Sequence, residues 1–88
     1  MFEWDPAKAH SNQIKHGVSF ADTFAVFEDP KALTLNQVVH EETRHVTIGM
    51  DCLNHVLVVV YTLRGDKIRI ISARRANRRE ITQYESKL

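Results

Sequence analysis

Between positions 64 and 79 the chain carries Arg64, Lys67, Arg69, Arg74, Arg75, Arg78 and Arg79, interrupted by a single acid, Asp66. The 88-residue chain as a whole has a formal net charge of only +1, so this concentration of cations is local. A guanidinium group presents a planar fork of N–H donors that matches phosphate oxygens better than an ammonium does. Arg74, Arg75, Arg78 and Arg79 gather where a hydrophobic strand ending near Ala73 passes into a helix. The N-terminal end of a helix is the unfavourable end for cations, so arginines crowded there point to an anion brought by a ligand or a partner. A nucleic-acid backbone phosphate suits the pattern, and RNA is the nucleic acid that suits the chemistry below. The plain alternative is that Arg78 and Arg79 pair with surface acids such as Glu85 or Asp66, each pair worth roughly 0–1 kcal/mol.

Other chemistries find little support. His40-Glu41 followed by His45 sets the second histidine one residue too far on for the His-Glu-x-x-His helical metal site, and the stretch reads as loop and strand. The glycines at 17, 49 and 65 form no phosphate-binding loop. Cys52 falls in an expected hairpin turn with no organised base nearby; as a lone cysteine it makes no internal disulfide and fits a reducing compartment. No apolar run approaches the ~18 residues of a membrane span, and no basic-then-apolar leader opens the chain, so a cytoplasmic protein without a membrane partner is expected. No metal and no cofactor are expected. RNA cleavage needs neither, because the substrate 2′-hydroxyl is itself the nucleophile. The protein then supplies a proton acceptor, a proton donor and cations for the pentavalent transition state. His10 and His55 read as surface residues. His45, on the polar side of a strand, is a lesser candidate for proton transfer, RNA contact or partner contact.

The elements that must position these groups follow in order. Phe2-Glu3-Trp4 alternates as a short strand does. Asp5-Pro6 supplies an N-cap and a first-turn proline, and Gly17 a C-terminal cap, for a helix ending near His16. The apolar side of that helix is thin, mainly Ala7 and Ile14. Lys8, Asn12, Lys15 and His16 share its other face, which is either a solvated polar stripe or the border of a substrate groove. Ser19 to Asp22 has the form of a capping box, opening a second helix whose Phe20, Phe24 and Phe27 belong to the core. Asp29-Pro30 ends it, which completes an αα-hairpin. Strands are expected at 33–39, 44–50, 56–63 and 67–73, with 56–63 central because it is apolar on both faces. Their short turns imply an antiparallel meander. Asn77 to Glu80 is a second capping box, and Ile81, Tyr84 and Leu88 give the last helix its apolar face. The expected fold is α+β: an N-terminal αα-hairpin, an antiparallel sheet of three to five strands and a C-terminal helix, in one domain over residues 1–88.

Read as a whole, the chain resembles the BrnT toxin family. The N-terminal half does so through Phe2-Glu3-Trp4-Asp5, Lys8, Asn12, Lys15-His16-Gly17-Val18, Phe20, and Phe27 with Asp29-Pro30. The second half does so through Gly49, the strand from Val58 to Thr62, Arg69-Ile70-Ile71-Ser72-Ala73-Arg74, Ala76, Glu80 and Tyr84. It departs from the family at Asn54-His55, where a glycine and a basic residue are common, and at Thr23, where alanine is usual. The resemblance implies a RelE-like fold and a ribonuclease toxin of a type II toxin–antitoxin pair. It also implies a BrnA-type antitoxin that binds and inactivates the toxin. The complex would repress its own operon, with operator DNA contacted mainly by the antitoxin.

Residue by residue the resemblance carries over onto Lys15, His16 and Arg74, and less firmly onto Arg64. Arg74 would bind the scissile phosphate, Arg64 would add a second phosphate contact, and Lys15 or His16 would guide the strand or transfer a proton. Arg69, Arg75, Arg78 and Arg79 would engage RNA or antitoxin. Glu80 is explained by its capping box. Two other readings stay open: a binding module whose basic edge docks an acidic partner and cleaves nothing, and an autoregulator that binds operator DNA alone.

Overall fold

The first helix starts and stops as its end residues dictate. The Asp5 carboxylate accepts a hydrogen bond from the Ala7 amide at 2.9 Å, Pro6 fills the first helical position, and Gly17 takes the left-handed conformation (φ 69°) that ends the helix. In the computed structural model, which describes residues 1–39 and 41–86, the elements are β1 (Phe2–Glu3), α1 (Pro6–His16), a 3-10 turn (Phe20–Thr23) running into α2 (Phe24–Glu28), β2 (Leu33–Val39), β3 (Glu42–Met50), β4 (Val56–Arg64), β5 (Lys67–Arg75) and α3 (Arg78–Ser86). Leu88, expected on the apolar face of the last helix, and His40, weighed above as a metal ligand, lie outside the described residues.

Among the described residues one sheet forms, in the order β1-β5-β4-β3-β2. Strands β2 to β5 make the expected antiparallel meander, with β4 in the middle. The sheet is nevertheless mixed, which corrects the all-antiparallel expectation: β1 runs parallel to β5, with Phe2 opposite Ile68 and Glu3 opposite Arg69. The first residues leave the sheet directly into α1, so they run in the direction of the strand that α1 covers. Strand β3 begins at Glu42, inside the stretch expected as loop, directly after Glu41 with its φ of 63°.

The second helical arm also differs from expectation. The Ser19 hydroxyl accepts from Ala21 at 3.3 Å and not from Asp22, whose side chain is exposed, so no capping box forms there. A 3-10 turn forms first, closed by a hydrogen bond from the buried Thr23 hydroxyl to the Phe20 carbonyl at 2.6 Å. One side of the sheet buries Leu57, Val59, Tyr61, Ile70 and Ala73 against Val18, Phe20 and Val26. The other buries Ile48 and Val58 under Tyr84 of α3. Gly49 allows α2 its close approach, since a Cβ there would stand 2.8 Å from Val26 Cγ1.

Helix α1 brings Ala9 to the core but is held mainly by a polar anchor. Ile14 is 74% exposed and Ala7 is exposed too, which overturns their expected packing role. The anchor is Asn12, only 6% exposed: its Nδ2 donates to the carbonyls of Val18 (3.0 Å) and Ala73 (2.8 Å), and its Oδ1 accepts from the Ala73 amide (3.1 Å). Replacing it by alanine leaves three backbone groups without partners, a loss of about 2–4 kcal/mol by the usual cost of unsatisfied buried groups. Urea denaturation of Asn12→Ala is the measurement; a change below about 0.5 kcal/mol would mean the carboxamide is not the anchor.

Candidate functional site

Because β1 pairs only with Ile68 and Arg69, the edge of β5 beyond them is open, and α1 lies along it. Between the two is a cleft of about 220 Å³ lined by Lys8, Asn12, Lys15 and His16 from α1 and by Ile71 and Ser72 from β5, with no acidic side chain in its wall. The shared face of α1 is therefore a groove border with one buried member, Asn12, and three cationic or titratable ones. Lys15 and His16 stand in the last turn of α1, where the negative end of the helix dipole favours positive charge. Ser72 and Lys8 also line the cleft; Lys8 was visible in the sequence as part of the stripe, whereas nothing in the strand pattern singled out Ser72.

Arg74 follows this wall directly, but its side chain leaves from the opposite face of the sheet, the one carrying α3. There its two terminal nitrogens donate to Glu80 Oε1 and Oε2, each at 2.8 Å, and Nη1 also reaches the Arg75 carbonyl at 3.3 Å. Glu80 at the same time closes the expected capping box: Oε1 accepts from the Asn77 amide and the Asn77 side chain accepts from the Glu80 amide, both at 2.9 Å. The hydrogen bonds to Glu80 raise the Arg74 pKa. Those same bonds from Arg74 hold the Glu80 carboxyl below its ordinary value, against the opposing effect of burial. Glu80 takes the end-on edge of this guanidinium, so the scissile-phosphate role expected of Arg74 would fall to its Nε edge, on a side chain that is 41% exposed.

The other cations are dispersed. Arg64 stands at the far end of β5, opposite Lys67, and the strand from Lys67 to Arg74 spans roughly 20 Å at ordinary rise. Arg64 and Arg74 thus do not meet on one phosphate. Arg69 donates to Glu3 at 3.0 Å, and Lys67 approaches the same carboxylate at 3.8 Å. Arg75, Arg78 and Arg79 are exposed around the junction, without the ion pairs to Glu85 or Asp66 considered above. His45 lies on the helix-covered side of β3, 2.8 Å from Asn36 Oδ1 and stacked on Tyr61 (5.3 Å, 23°), away from Lys15 and His16. Among the described residues no group of three or more histidine, cysteine or acidic side chains is placed to hold a metal ion, and no helix is long and apolar enough to cross a membrane.

Asp29 does more than stop a helix. Its Oδ2 accepts from the Met50 amide at 2.9 Å and from the Tyr84 hydroxyl at 2.6 Å, while Oδ1 accepts from Lys31 N. Burial pushes the Asp29 carboxyl up, but the hydrogen bonds from Tyr84, Met50 and Lys31 together leave it below its ordinary value. Burial and then the Asp29 hydrogen bond push the Tyr84 phenol from 10.0 up to about 12.

A sequence profile described as "Ribonuclease toxin, BrnT, of type II toxin-antitoxin system" matches residues 4–80. Among solved structures, the chain is similar to the crystal structure of the Brucella abortus ribonuclease toxin BrnT, with a TM-score of 0.69 and 27% identity over 89% of this chain and 99% of that one. Among curated protein sequences no relative matches.

The two lowered carboxylates and the raised phenol predict a loss of stability at both ends of the pH range. Glu80 and Asp29 contribute fully above their unfolded pKa values and lose the contribution as pH falls through their lower folded ones. Tyr84 contributes fully below 10.0 and loses it as pH rises toward about 12. Urea midpoints measured against pH should therefore fall on both sides. Glu80→Gln should flatten the acid limb and Tyr84→Phe the alkaline one. Limbs unchanged in these variants would remove the two side chains as causes.

Proposed function

The chain belongs to the BrnT family of type II toxin–antitoxin ribonuclease toxins, and from that membership we propose that it is a metal-independent endoribonuclease restrained by a BrnA-type antitoxin. The observation that carries this reading is the acid-free cleft that gathers Lys8, Lys15 and His16 against the edge of β5. A phosphodiester is drawn into such a cleft by charge, and a histidine at its rim can move a proton.

In the proposed reaction the substrate 2′-oxygen attacks the adjacent phosphorus and the 5′-oxygen leaves. The products are a 2′,3′-cyclic phosphate and a 5′-hydroxyl. One proton leaves the 2′-oxygen and one reaches the departing 5′-oxygen; His16 carries one of these transfers and water the other, while Lys15 offsets the charge that builds on the phosphoryl oxygens. Arg74 acts as a positioning residue: paired with Glu80, it fixes the β5–α3 junction from which Arg75, Arg78 and Arg79 project. Those exposed arginines offer a surface to RNA backbone or to acidic segments of the antitoxin. Arg64, at the other end of β5, is a peripheral phosphate contact rather than a partner of Arg74. Operator DNA would be engaged only through the toxin–antitoxin complex, and the protein would act in the cytoplasm.

Purified Lys15→Ala and His16→Ala are expected to cleave RNA about 10²-fold or more slowly than the unmutated chain, the usual scale for losing an acid–base or charge-stabilising group. Their urea midpoints should not change, and cleavage by the unmutated chain should persist in EDTA and leave cyclic phosphate ends. Activity abolished by the chelator, or two variants cleaving at the normal rate, would sink the mechanism. Arg74→Ala and Glu80→Gln should lose stability and activity in parallel. Full activity in Glu80→Gln beside an inactive Arg74→Ala would return Arg74 to direct phosphate contact.

A further inference from the structure

The turn between β3 and β4 lies beside the end of β5 and is built around one carboxylate. Asp51 is buried, and its Oδ1 accepts from the Leu53 and His55 amides at 2.9 and 2.8 Å. The Asp51 amide donates to the His55 carbonyl at 2.9 Å, which carries the β3–β4 pairing one step past Met50 and Val56. Asn54, in the left-handed conformation (φ 66°), leads the chain into His55. The second oxygen of Asp51, Oδ2, stands 3.5 Å from His55 Nδ1. That contact decides which edge of the imidazole is left over. It is Nε2, which makes no hydrogen bond among the described residues, on a side chain that is 36% exposed.

His55 lines a pocket of about 400 Å³ that shares no residue with the Lys15–His16 cleft. Part of its wall is apolar and half-buried, from Met50, Val56, Ala76 and Ile81. The other part is polar: Asn54, His55 and Arg75 from the sheet end, and Glu85 from α3. Arg75 stands opposite Leu57, and His55 is two residues before Leu57. The pair are therefore diagonal neighbours, roughly 7 Å apart at ordinary strand geometry. Arg75 is exposed, and its guanidinium makes no ion pair among the described residues, with Glu85 or any other acid. A guanidinium and an imidazole edge at that separation suit two oxygens of one phosphate. The volume falls in the range of small-molecule sites and accommodates one nucleotide. Ser72 of the cleft wall and Arg75 lie on the same strand, roughly 10 Å apart.

We propose that this pocket is a nucleotide subsite for the RNA strand, further along β5 from the cleft in which Lys15 and His16 act. Arg75 and the Nε2 edge of His55 hold a backbone phosphate. The attached base lies against Met50, Val56, Ala76 and Ile81, within reach of the Asn54 amide. Asp51 is a positioning residue: it holds Nδ1 inward, so that the protonated ring donates from Nε2 while the carboxylate balances its charge. The subsite deepens the ribonuclease reading and rests on it. The apolar part of the wall favours RNA over an acidic peptide as occupant. It matches the face of an unstacked base, whereas aspartate and glutamate side chains would bring only charge to it.

The test is binding of a fluorescent 2′-O-methyl hexaribonucleotide, which lacks the attacking hydroxyl, to the full chain and to Arg75→Gln, His55→Ala and Lys31→Gln. Fluorescence anisotropy at several salt concentrations gives the affinities. Arg75→Gln is expected to bind about tenfold more weakly, with the slope of log affinity against log salt reduced by about one. His55→Ala should bind about three- to tenfold more weakly, the range for one lost hydrogen bond. Lys31 is exposed and outside the pocket, so Lys31→Gln removes the same charge and should bind normally. An abasic residue moved along the hexamer should cost about fivefold or more at one position. Normal binding by either pocket variant overturns the subsite, and so does an equal loss in Lys31→Gln, which would make the effect one of overall charge. Abasic hexamers that all bind normally overturn the nucleotide as ligand. If the subsite falls while Lys15→Ala and His16→Ala still cleave slowly, the ribonuclease reading survives its loss. Weak binding by both pocket variants, alongside normal cleavage by Lys15→Ala and His16→Ala, upholds the subsite and overturns the catalytic cleft instead. Binding of a hexaglutamate peptide that depends on His55 and Arg75, with the oligonucleotide unaffected, would overturn RNA as the occupant.

Discussion

The Asn12 carboxamide does for the edge of β5 what a neighbouring strand would do. A primary amide carries the same donor and acceptor as a peptide group, and here both are spent on one residue, Ala73, at 2.8 and 3.1 Å. Strand β1 ends after two residues and leaves the rest of that edge without a partner strand. An open edge invites another chain, and occupying both backbone groups of a central residue closes it to strand addition. The third bond, to Val18, ties the corner after Gly17 to the same point. A helix with almost no apolar face is thus fixed in place and register, and with it Lys8, Lys15 and His16. The cleft exists because α1 is held at the edge by a side chain instead of lying flat on the sheet.

Two carboxylates perform the corresponding task for α3. Glu80 accepts from Arg74 and from the Asn77 amide, fixing where the helix begins. Asp29 accepts from the Tyr84 hydroxyl and the Met50 amide, fixing where it crosses β3. Each is a half-buried anion whose desolvation is offset by several donors, the condition under which a buried charge is tolerated. Both ends of a short helix are thereby pinned. The cations that remain exposed (Arg75, Arg78 and Arg79) are those with no structural duty at the junction.

Features carried by adjacent residues were legible in the sequence. Asp5-Pro6, Gly17 and the Asn77–Glu80 box are local rules, and the meander of β2 to β5 follows from alternation and short turns. The arginine cluster pointed to RNA phosphate and cleavage through the substrate 2′-hydroxyl, and the family resemblance added the toxin and its antitoxin partner. What escaped depends on distant partners. Helical periodicity places Asn12 on a polar face, but it cannot tell a solvated amide from one satisfied by a strand 61 residues away. A strand of two residues has no period from which to read its direction. Ser19 to Asp22 fits the capping-box pattern, yet in the 3-10 turn the Asp22 amide donates to the Ser19 carbonyl at 3.0 Å and the Ser19 hydroxyl accepts from Ala21 instead.

Arg74 shows how one inserted residue can redirect a whole expectation. Ile68 and Ile70 face α1 and α2, and strict alternation would send Ser72 and Arg74 the same way, toward Lys15 and His16. The pairing instead shifts where Val60 and Tyr61 of β4 meet Ser72 and Ile70 of β5, leaving Ile71 as an extra residue. Ala73 then takes the helix-facing place, and Arg74 turns to the other face and to Glu80. Bulges concentrate at sheet edges and beside functional sites because they re-aim side chains without breaking the strand. Here the bulged Ile71 and the adjacent Ser72 form the β5 wall of the cleft. The same irregularity that removes Arg74 from the cleft therefore shapes the cleft wall.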